Sequence, residues 1–268
     1  MKISNKIGLI GCGNMGSAIL QGVLKNQVCR GSDIWVADKI QGKVKDFCRK
    51  NKCRVAQNAA DAAQKAEIIF LAVKPQDFSE TAAAIRPFLN SRKIVISILA
   101  GVQIAGLQKQ LGSAVVVRAM PNLGAMVGAS VTAVCSKNKS AINSAKSLFE
   151  ACGAVAVLNE KYFDAVTAVS GSGPAYFFLM MELLQAFAEK SGIDPRSARE
   201  LAVQTALGAA KLAAASAEPP AVLRERVTSK KGTTDAALTV LKYRKFPKTF
   251  FEALNAAVKR SRQLSGAK

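Results

Sequence analysis

Not one of the 268 residues is a histidine. That absence removes every mechanism built on an imidazole base, the Ser-His-Asp triad included. It also removes a principal zinc ligand, and the six cysteines (Cys12, Cys29, Cys48, Cys53, Cys135 and Cys152) contain no C-x-x-C pair. No metal centre is expected; reduced, buried thiols are. Aromatic residues are scarce at 6% while alanine is abundant, a composition suited to closely packed helices. Long hydrophobic runs are missing too. The most apolar stretch, Pro174 to Ala188, is too short to span a bilayer and contains Glu182 and Gln185. Near the start, Gly11, Gly13 and Gly16 interrupt the apolar run, so no signal-peptide pattern emerges and a cytoplasmic protein is expected.

Acids are in short supply: 18 Asp and Glu stand against 38 Lys and Arg, a net charge of +20. Nucleic acid is the first partner to weigh at such a charge. The basic residues are spread thinly along the chain, however, with no basic run interleaved with aromatics and no nucleic-acid motif. The expectation is a solvated basic surface, or a field that draws small anionic ligands, with neither nucleic acid nor membrane as partner.

What is present divides the chain in two. Short runs rich in Ile and Val, namely Lys6–Ile10, Asp33–Ala37, Glu67–Val73, Lys93–Leu99 and Ala114–Met120, read as strands, and Ser130–Val134 and Ala154–Leu158 as two more. They are nearly continuous in hydrophobicity, as parallel strands covered on both faces must be. Helical stretches such as Asn14–Lys25 and Gln76–Leu89 fall between them, and another lies near Ala141–Ala151. This is the pattern of a doubly wound α/β domain of the Rossmann type, assigned to residues 1–159. From about Glu160 the strand pattern stops. Ser172–Ser191, Arg196–Ala217, Pro220–Val227, Thr233–Tyr243 and Pro247–Leu264 read as helices of an all-helical domain, residues 160–268. In the last of them Phe246, Phe250, Leu254 and Ala257 recur at three or four residues and mark one buried face.

The segment KIGLIGCGNMGSAIL sets Gly11, Gly13 and Gly16 in a G-x-G-x-x-G between a strand and a helix. The three glycines serve a tight turn, close approach of backbone to a pyrophosphate, and close helix–strand packing. The free N–H groups at the helix start suit the phosphates. Asp38 ends the second strand about twenty residues after Gly16, where a carboxylate binds the ribose hydroxyls of NAD. Lys39 and Lys43 beside it suit the 2′-phosphate of NADP, so both cofactors remain open. A second role for Asp38 is to cap the following helix. LAVKPQ (Leu71–Gln76) closes another strand, and Val73 and Lys74 there face either the adenosine or ribose side or solvent. In SGSGPAY, Pro174 suits a first helical turn with Ser172 as its cap, while a functional reading sets Ser170–Gly173 near a nicotinamide. In VTSKKGTTDAAL (Val227–Leu238) hydroxyls, lysines and a glycine interrupt a helical region. Gly232 is expected to let the chain turn sharply, so that N–H groups converge at the start of the helix Thr233–Tyr243. Thr233 and Thr234 act either as capping residues or as donors to an anion; a helix N-terminus accommodates both roles.

Taken in order, IGLIGCGNMGSAI, LAVKPQ, VRAMPN (Val117–Asn122), VSGSGPAYFF (Val169–Phe178) and VTSKKGTTDAAL resemble pyrroline-5-carboxylate reductases over essentially the whole chain. The last two carry most of the specificity. The chain departs from that family's pattern at Lys230 and Lys231, where Pro-Gly is usual, and MPNLG lacks the usual Thr-Pro after Asn122. The resemblance implies an NAD(P)H-dependent imine reductase that makes L-proline in the last step of proline biosynthesis. It also implies a helical domain that dimerises, with larger rings of dimers. It places the cofactor, NADP(H) or NAD(H), on Gly11, Asn14, Met15 and the loop around Lys74; together with the glycine motif and the strand ends, the expected cofactor residues are Gly11, Cys12, Gly13, Asn14, Met15, Gly16, Asp38, Lys39, Val73, Lys74, Pro75 and Asn122. The substrate's carboxylate and imine end fall to Ser229, Gly232, Thr233 and Thr234, with Thr234 on the ring nitrogen. The alternative within the same architecture, a 3-hydroxy-acid dehydrogenase, needs a catalytic lysine in the first long helix of the second domain. That helix offers only Lys190, at its far end. A scaffold protein that uses the basic surface is the non-enzymatic alternative, and titration with NADH or NADPH separates it from the other two.

Overall fold

A computed structural model describes residues 5–264. Eight strands form one sheet: β1 Ile7–Ile10, β2 Ile34–Ala37, β3 Arg54–Val55, β4 Ile68–Leu71, β5 Ile94–Ser97, β6 Val115–Met120, β7 Ser130–Cys135 and β8 Gly153–Val157. Their order across the sheet is β3-β2-β1-β4-β5-β6-β7-β8. All neighbours are parallel except β6 and β7, which run antiparallel. The order reverses at β1 and β4. In open α/β sheets the crevice beyond the carboxyl ends of strands at such a reversal is where ligands sit. Six helices accompany the strands: α1 Asn14–Lys25, α2 Gln41–Asn51, α3 Ala59–Lys65, α4 Phe78–Ile85, α5 Ile104–Leu111 and α6 Lys139–Phe149. Ile7, Leu9, Ile19, Leu20, Ile34, Ile68 and Phe70 in one apolar cluster, and Ile69, Leu71, Ile85 and Val95 in another, are almost wholly buried. Strands covered on both faces are thus the reason that continuous Ile/Val runs fold here as they do.

The strand Arg54–Val55 was not visible as an apolar run, because it is a two-residue edge strand with both residues exposed. The stretch Gln76–Leu89 is helical in three pieces: a 3₁₀ turn Pro75–Asp77, α4, and a 3₁₀ turn Arg86–Phe88 around Pro87. Proline has no N–H to continue an α-helix, which accounts for the break.

After β8 the chain forms a 3₁₀ turn at Glu160–Tyr162 and α7 Phe163–Val166. A π-helical turn, Thr167–Gly171, follows. The remaining helices are α8 Gly173–Lys190, α9 Pro195–Ala215, α10 Pro220–Arg226, α11 Thr233–Tyr243 and α12 Phe246–Leu264. Two compact units emerge: Met1–Ser172 with Ala257–Lys268, and Gly173–Ala256. The end of α12 therefore belongs to the first unit, where Ser261 Oγ donates to Asp164 Oδ1 at 2.7 Å. In that unit Arg118 of β6 is buried, pairs with Glu160 at 3.1 Å and lies over the Phe163 ring. Ser172 does not cap α8. Its backbone is helical and its N–H bonds to the Thr167 carbonyl, because the π turn carries the chain straight through to Gly173.

Within the second unit α8 and α9 pack together, yet Gly173 is the only buried residue of α8. Phe177 is 66% exposed and Leu183 56%, and Phe178, Met180 and Leu184 are exposed beside them. The expected apolar face of α12 is only partly covered in the single chain, with Phe246 and Phe250 still in contact with solvent. Apolar surface of this extent marks an interface. Light scattering at micromolar concentration is expected to give the mass of at least two chains; a stable monomer would contradict this.

Among the described residues no helix is long and apolar enough to cross a membrane. No group of three or more Cys, Asp or Glu side chains there is placed to hold a metal ion. All six cysteines are free thiols.

Candidate active site

The turn after β1 is built from its glycines. Gly11 has φ +102°, a left-handed conformation, and a Cβ on it would lie 2.5 Å from the Ala72 carbonyl oxygen just beyond β4. No side chain fits between those two strand ends. A Cβ on Gly16 would collide with the Gly11 carbonyl, so helix and turn are in direct contact there. Gly13 differs: its backbone is extended, and a Cβ there would meet nothing within 4 Å. The protein's own packing does not call for a glycine at 13. The open space in front of it suits a pyrophosphate, and α1 begins at Asn14 with no side-chain cap on its first N–H groups. Asn14, Met15 and Gly16 form the first turn of α1.

Asp38 closes β2 and faces this loop. One carboxylate oxygen accepts the Cys12 N–H at 2.7 Å, and the other accepts the Ile40 N–H at 2.9 Å. It does not cap α2, whose N-cap is Ile40 and carries no side-chain bond. Each oxygen retains a lone pair for a hydroxyl donor. The Cys12 thiol is pushed up to about 11, first by burial and then by the Asp38 charge. It stays protonated at neutral pH and is no nucleophile. Lys39 is exposed and bonds to both Glu80 at 3.0 Å and Asp77 at 3.1 Å, which raise its pKa. Val73, Lys74 and Pro75 follow β4, with Lys74 as N-cap of the 3₁₀ turn. Because β2, β1 and β4 are adjacent and parallel, Gly11–Gly16, Asp38, Lys39 and Val73–Pro75 converge at one edge of the sheet. Asn122 follows β6, two strands beyond β4 or roughly 10 Å across the sheet. Its side chain accepts the Gly124 N–H at 3.0 Å and caps the 3₁₀ turn Leu123–Val127, which packs against α1. Asp77 and Glu80 were missed in the sequence; acids three residues apart just after a strand end were the available signal.

Ser229, Gly232, Thr233 and Thr234 come together in the second unit, at the start of α11. The left-handed residue is Lys231, at φ +62°, whereas Gly232 is extended at φ −80°. The expectation that Gly232 makes the sharp turn is therefore corrected. Gly232 is required for space instead, since a Cβ on it would strike Ser229 Oγ. The Lys231 turn is held by its N–H, which donates to Asp235 Oδ2 at 3.0 Å. The first intrahelical bond of α11 runs from Ala236 N–H to the Gly232 carbonyl. Ahead of it stand the N–H groups of Thr233, Thr234 and Asp235, and Gly232 offers no side-chain cap. Two threonine hydroxyls and a helix dipole add features that suit an anion. A left-handed non-glycine residue costs roughly 1–2 kcal/mol, partly offset by the entropy a glycine loses on folding. Lys231→Gly is accordingly expected to shift Tm by no more than about 3 °C and kcat/KM by less than about threefold. A larger loss of activity at unchanged Tm would show that the lysine side chain itself does the binding.

A dinucleotide cradle on a Rossmann sheet, joined to a helical unit with a large uncovered apolar face, defines a nicotinamide-dependent oxidoreductase that works as an oligomer. Residues 6–101 match the family model described as "NADP oxidoreductase coenzyme F420-dependent", and residues 160–264 the one described as "Pyrroline-5-carboxylate reductase dimerisation". The chain belongs to the pyrroline-5-carboxylate reductase family. It is 38% identical to the pyrroline-5-carboxylate reductase of Synechocystis, over 98% of this chain and 99% of that one. Among solved structures it resembles the Coxiella burnetii enzyme with a TM-score of 0.90, at 35% identity and over 98% and 99% of the two chains. It resembles the Plasmodium falciparum pyrroline carboxylate reductase, solved with NADP bound, with a TM-score of 0.89, at 28% identity and over 99% and 100%.

Proposed function

We propose that this chain reduces 1-pyrroline-5-carboxylate to L-proline, with the cofactor on Gly11–Gly16, Asp38, Lys39, Val73–Pro75 and Asn122, and the substrate on Ser229, Gly232, Thr233 and Thr234. The observation that carries the substrate half is the start of α11, where three N–H groups have no intrahelical partner and no side-chain cap, with the hydroxyls of Thr233 and Thr234 in the same turn. The substrate is a five-membered cyclic imine with a carboxylate. The carboxylate suits the N–H groups of Thr233 and Thr234, and the Thr234 hydroxyl suits the ring nitrogen. When bound, NADPH or NADH supplies a hydride to the imine carbon. The nitrogen takes its proton from water, so no strong protein acid is required, which agrees with a chain that lacks histidine. The work of the residues is then to hold the ring at the right distance and angle. This reading divides the functions at residue 159/160, and takes a small anion, not a nucleic acid, as the partner of the basic surface. Six free thiols agree with a reducing, cytoplasmic setting.

Steady-state assays with pyrroline-5-carboxylate and each cofactor test it directly. Turnover with at least one of them is expected. A chain that binds NADPH or NADH yet reduces no pyrroline-5-carboxylate would refute the substrate, not the cofactor, assignment.

A further inference from the structure

At the rim of the dinucleotide crevice Lys39, assigned above to the cofactor, is held in an ion-pair cluster. Lys39 follows β2 and reaches across to the segment after β4. There its ammonium lies 3.1 Å from Asp77 Oδ1 and 3.0 Å from Glu80 Oε2. The two acids are three residues apart and share one face of the turn that opens α4. Glu80 stands in the first turn of α4, where the helix dipole favours a negative charge. The cluster therefore links the two segments that flank the β1 turn. These same segments meet the adenosine ribose in a sheet of this topology.

Within the cluster one cation, Lys39, faces two acids, Asp77 and Glu80. NADH brings no charge to the 2′ position, whereas NADPH brings a phosphate dianion. For that phosphate Lys39 is the nearest cation in sequence to Asp38, and it is already shared between two carboxylates. We propose that Asp77 and Glu80 act as an internal competitor for the adenosine 2′-phosphate. By holding the Lys39 ammonium they weaken NADPH relative to NADH. The inference rests on the assignment of this crevice to the adenosine end of the cofactor. Lys39 is then the residue that discriminates between the cofactors, and the two acids set how strongly.

Calorimetric titration with adenosine 2′,5′-bisphosphate and with adenosine 5′-monophosphate tests this without turnover. In the double variant Asp77→Asn/Glu80→Gln the bisphosphate is expected to bind about five- to tenfold tighter, and the monophosphate to change by less than about twofold. Lys39→Met is expected to weaken the bisphosphate alone, and to remove the gain when it is added to the double variant. The gain should shrink in high salt, because the cluster is exposed. Equal changes for both nucleotides, no change for either, or a gain that survives Lys39→Met would each overturn the proposal. If the unaltered chain bound neither nucleotide, the crevice assignment would fall and take the proposal with it; turnover of pyrroline-5-carboxylate would remain a separate question.

Discussion

Replacing Gly13 with valine abolishes dinucleotide binding and leaves the fold standing. Both halves of that expectation come from the same local geometry. The Gly13 backbone lies at φ −77° and ψ −173°, a conformation open to every residue, and a Cβ there touches nothing within 4 Å. A valine is therefore accommodated by the protein, but its methyl groups fill the space that faces the first N–H groups of α1, the proposed pyrophosphate site. An affinity loss of at least about a hundredfold, or about 2.8 kcal/mol, is expected, with Tm and circular dichroism unchanged. Gly16→Ala provides the contrast. Its Cβ collides with the Gly11 carbonyl and also approaches Ala72, so both binding and stability are expected to fall. Nucleotide binding followed by nicotinamide fluorescence, read beside a thermal melt, separates the two cases. Normal NADPH and NADH affinity in Gly13→Val would remove the turn from the site.

Thr234→Ala is expected to lower kcat/KM for pyrroline-5-carboxylate by roughly ten- to a hundredfold, the worth of about 1.5–3 kcal/mol for a hydrogen bond to a charged group. Stability should hardly move. Thr234 is the second residue of α11, and its hydroxyl makes no hydrogen bond to the described residues. Alanine is also the better helix former. A purely structural role would show up in the melting curve, and a binding role in the kinetics. Thr234→Ser keeps the hydroxyl and should restore most of the rate. If Thr234→Ala turned over substrate like the parent, the ring nitrogen would have to be held elsewhere and the site at the start of α11 would be wrong.

The legibility of this chain follows from the range over which each feature is encoded. Buried parallel strands announce themselves, since a run such as Ile68–Leu71 must be apolar on both faces. The edge strand Arg54–Val55 has no such obligation, and nothing in its two exposed residues marks it. The reversal of β7 against β6 is invisible for another reason. An apolar run reads the same in either direction, and the connection that sets the direction is the 3₁₀ turn Leu123–Val127 with its Asn122 cap. Ser172 before Gly-Pro has the appearance of a cap, because the π turn that carries the chain past it has no local signature. The tight turn after β1 was legible from its glycine spacing, but the partners of Asp38 and Lys39 were not. Cys12 lies 26 residues from Asp38, and Asp77 and Glu80 lie 38 and 41 from Lys39, so only the fold reveals that they meet.

The left-handed turn at Lys231 bears on how such a loop changes over evolutionary time. The conformation survives there without the glycine usual in the family, anchored by the Asp235 carboxylate on one side and the small Gly232 on the other. A penalty of roughly 1–2 kcal/mol is small against the roughly 5–15 kcal/mol that holds an ordinary domain together. A lysine is therefore tolerated where the family usually has glycine, and it adds a positive charge beside the proposed anion site without redrawing the backbone. At this position the backbone shape is kept by its neighbours and does not depend on a glycine.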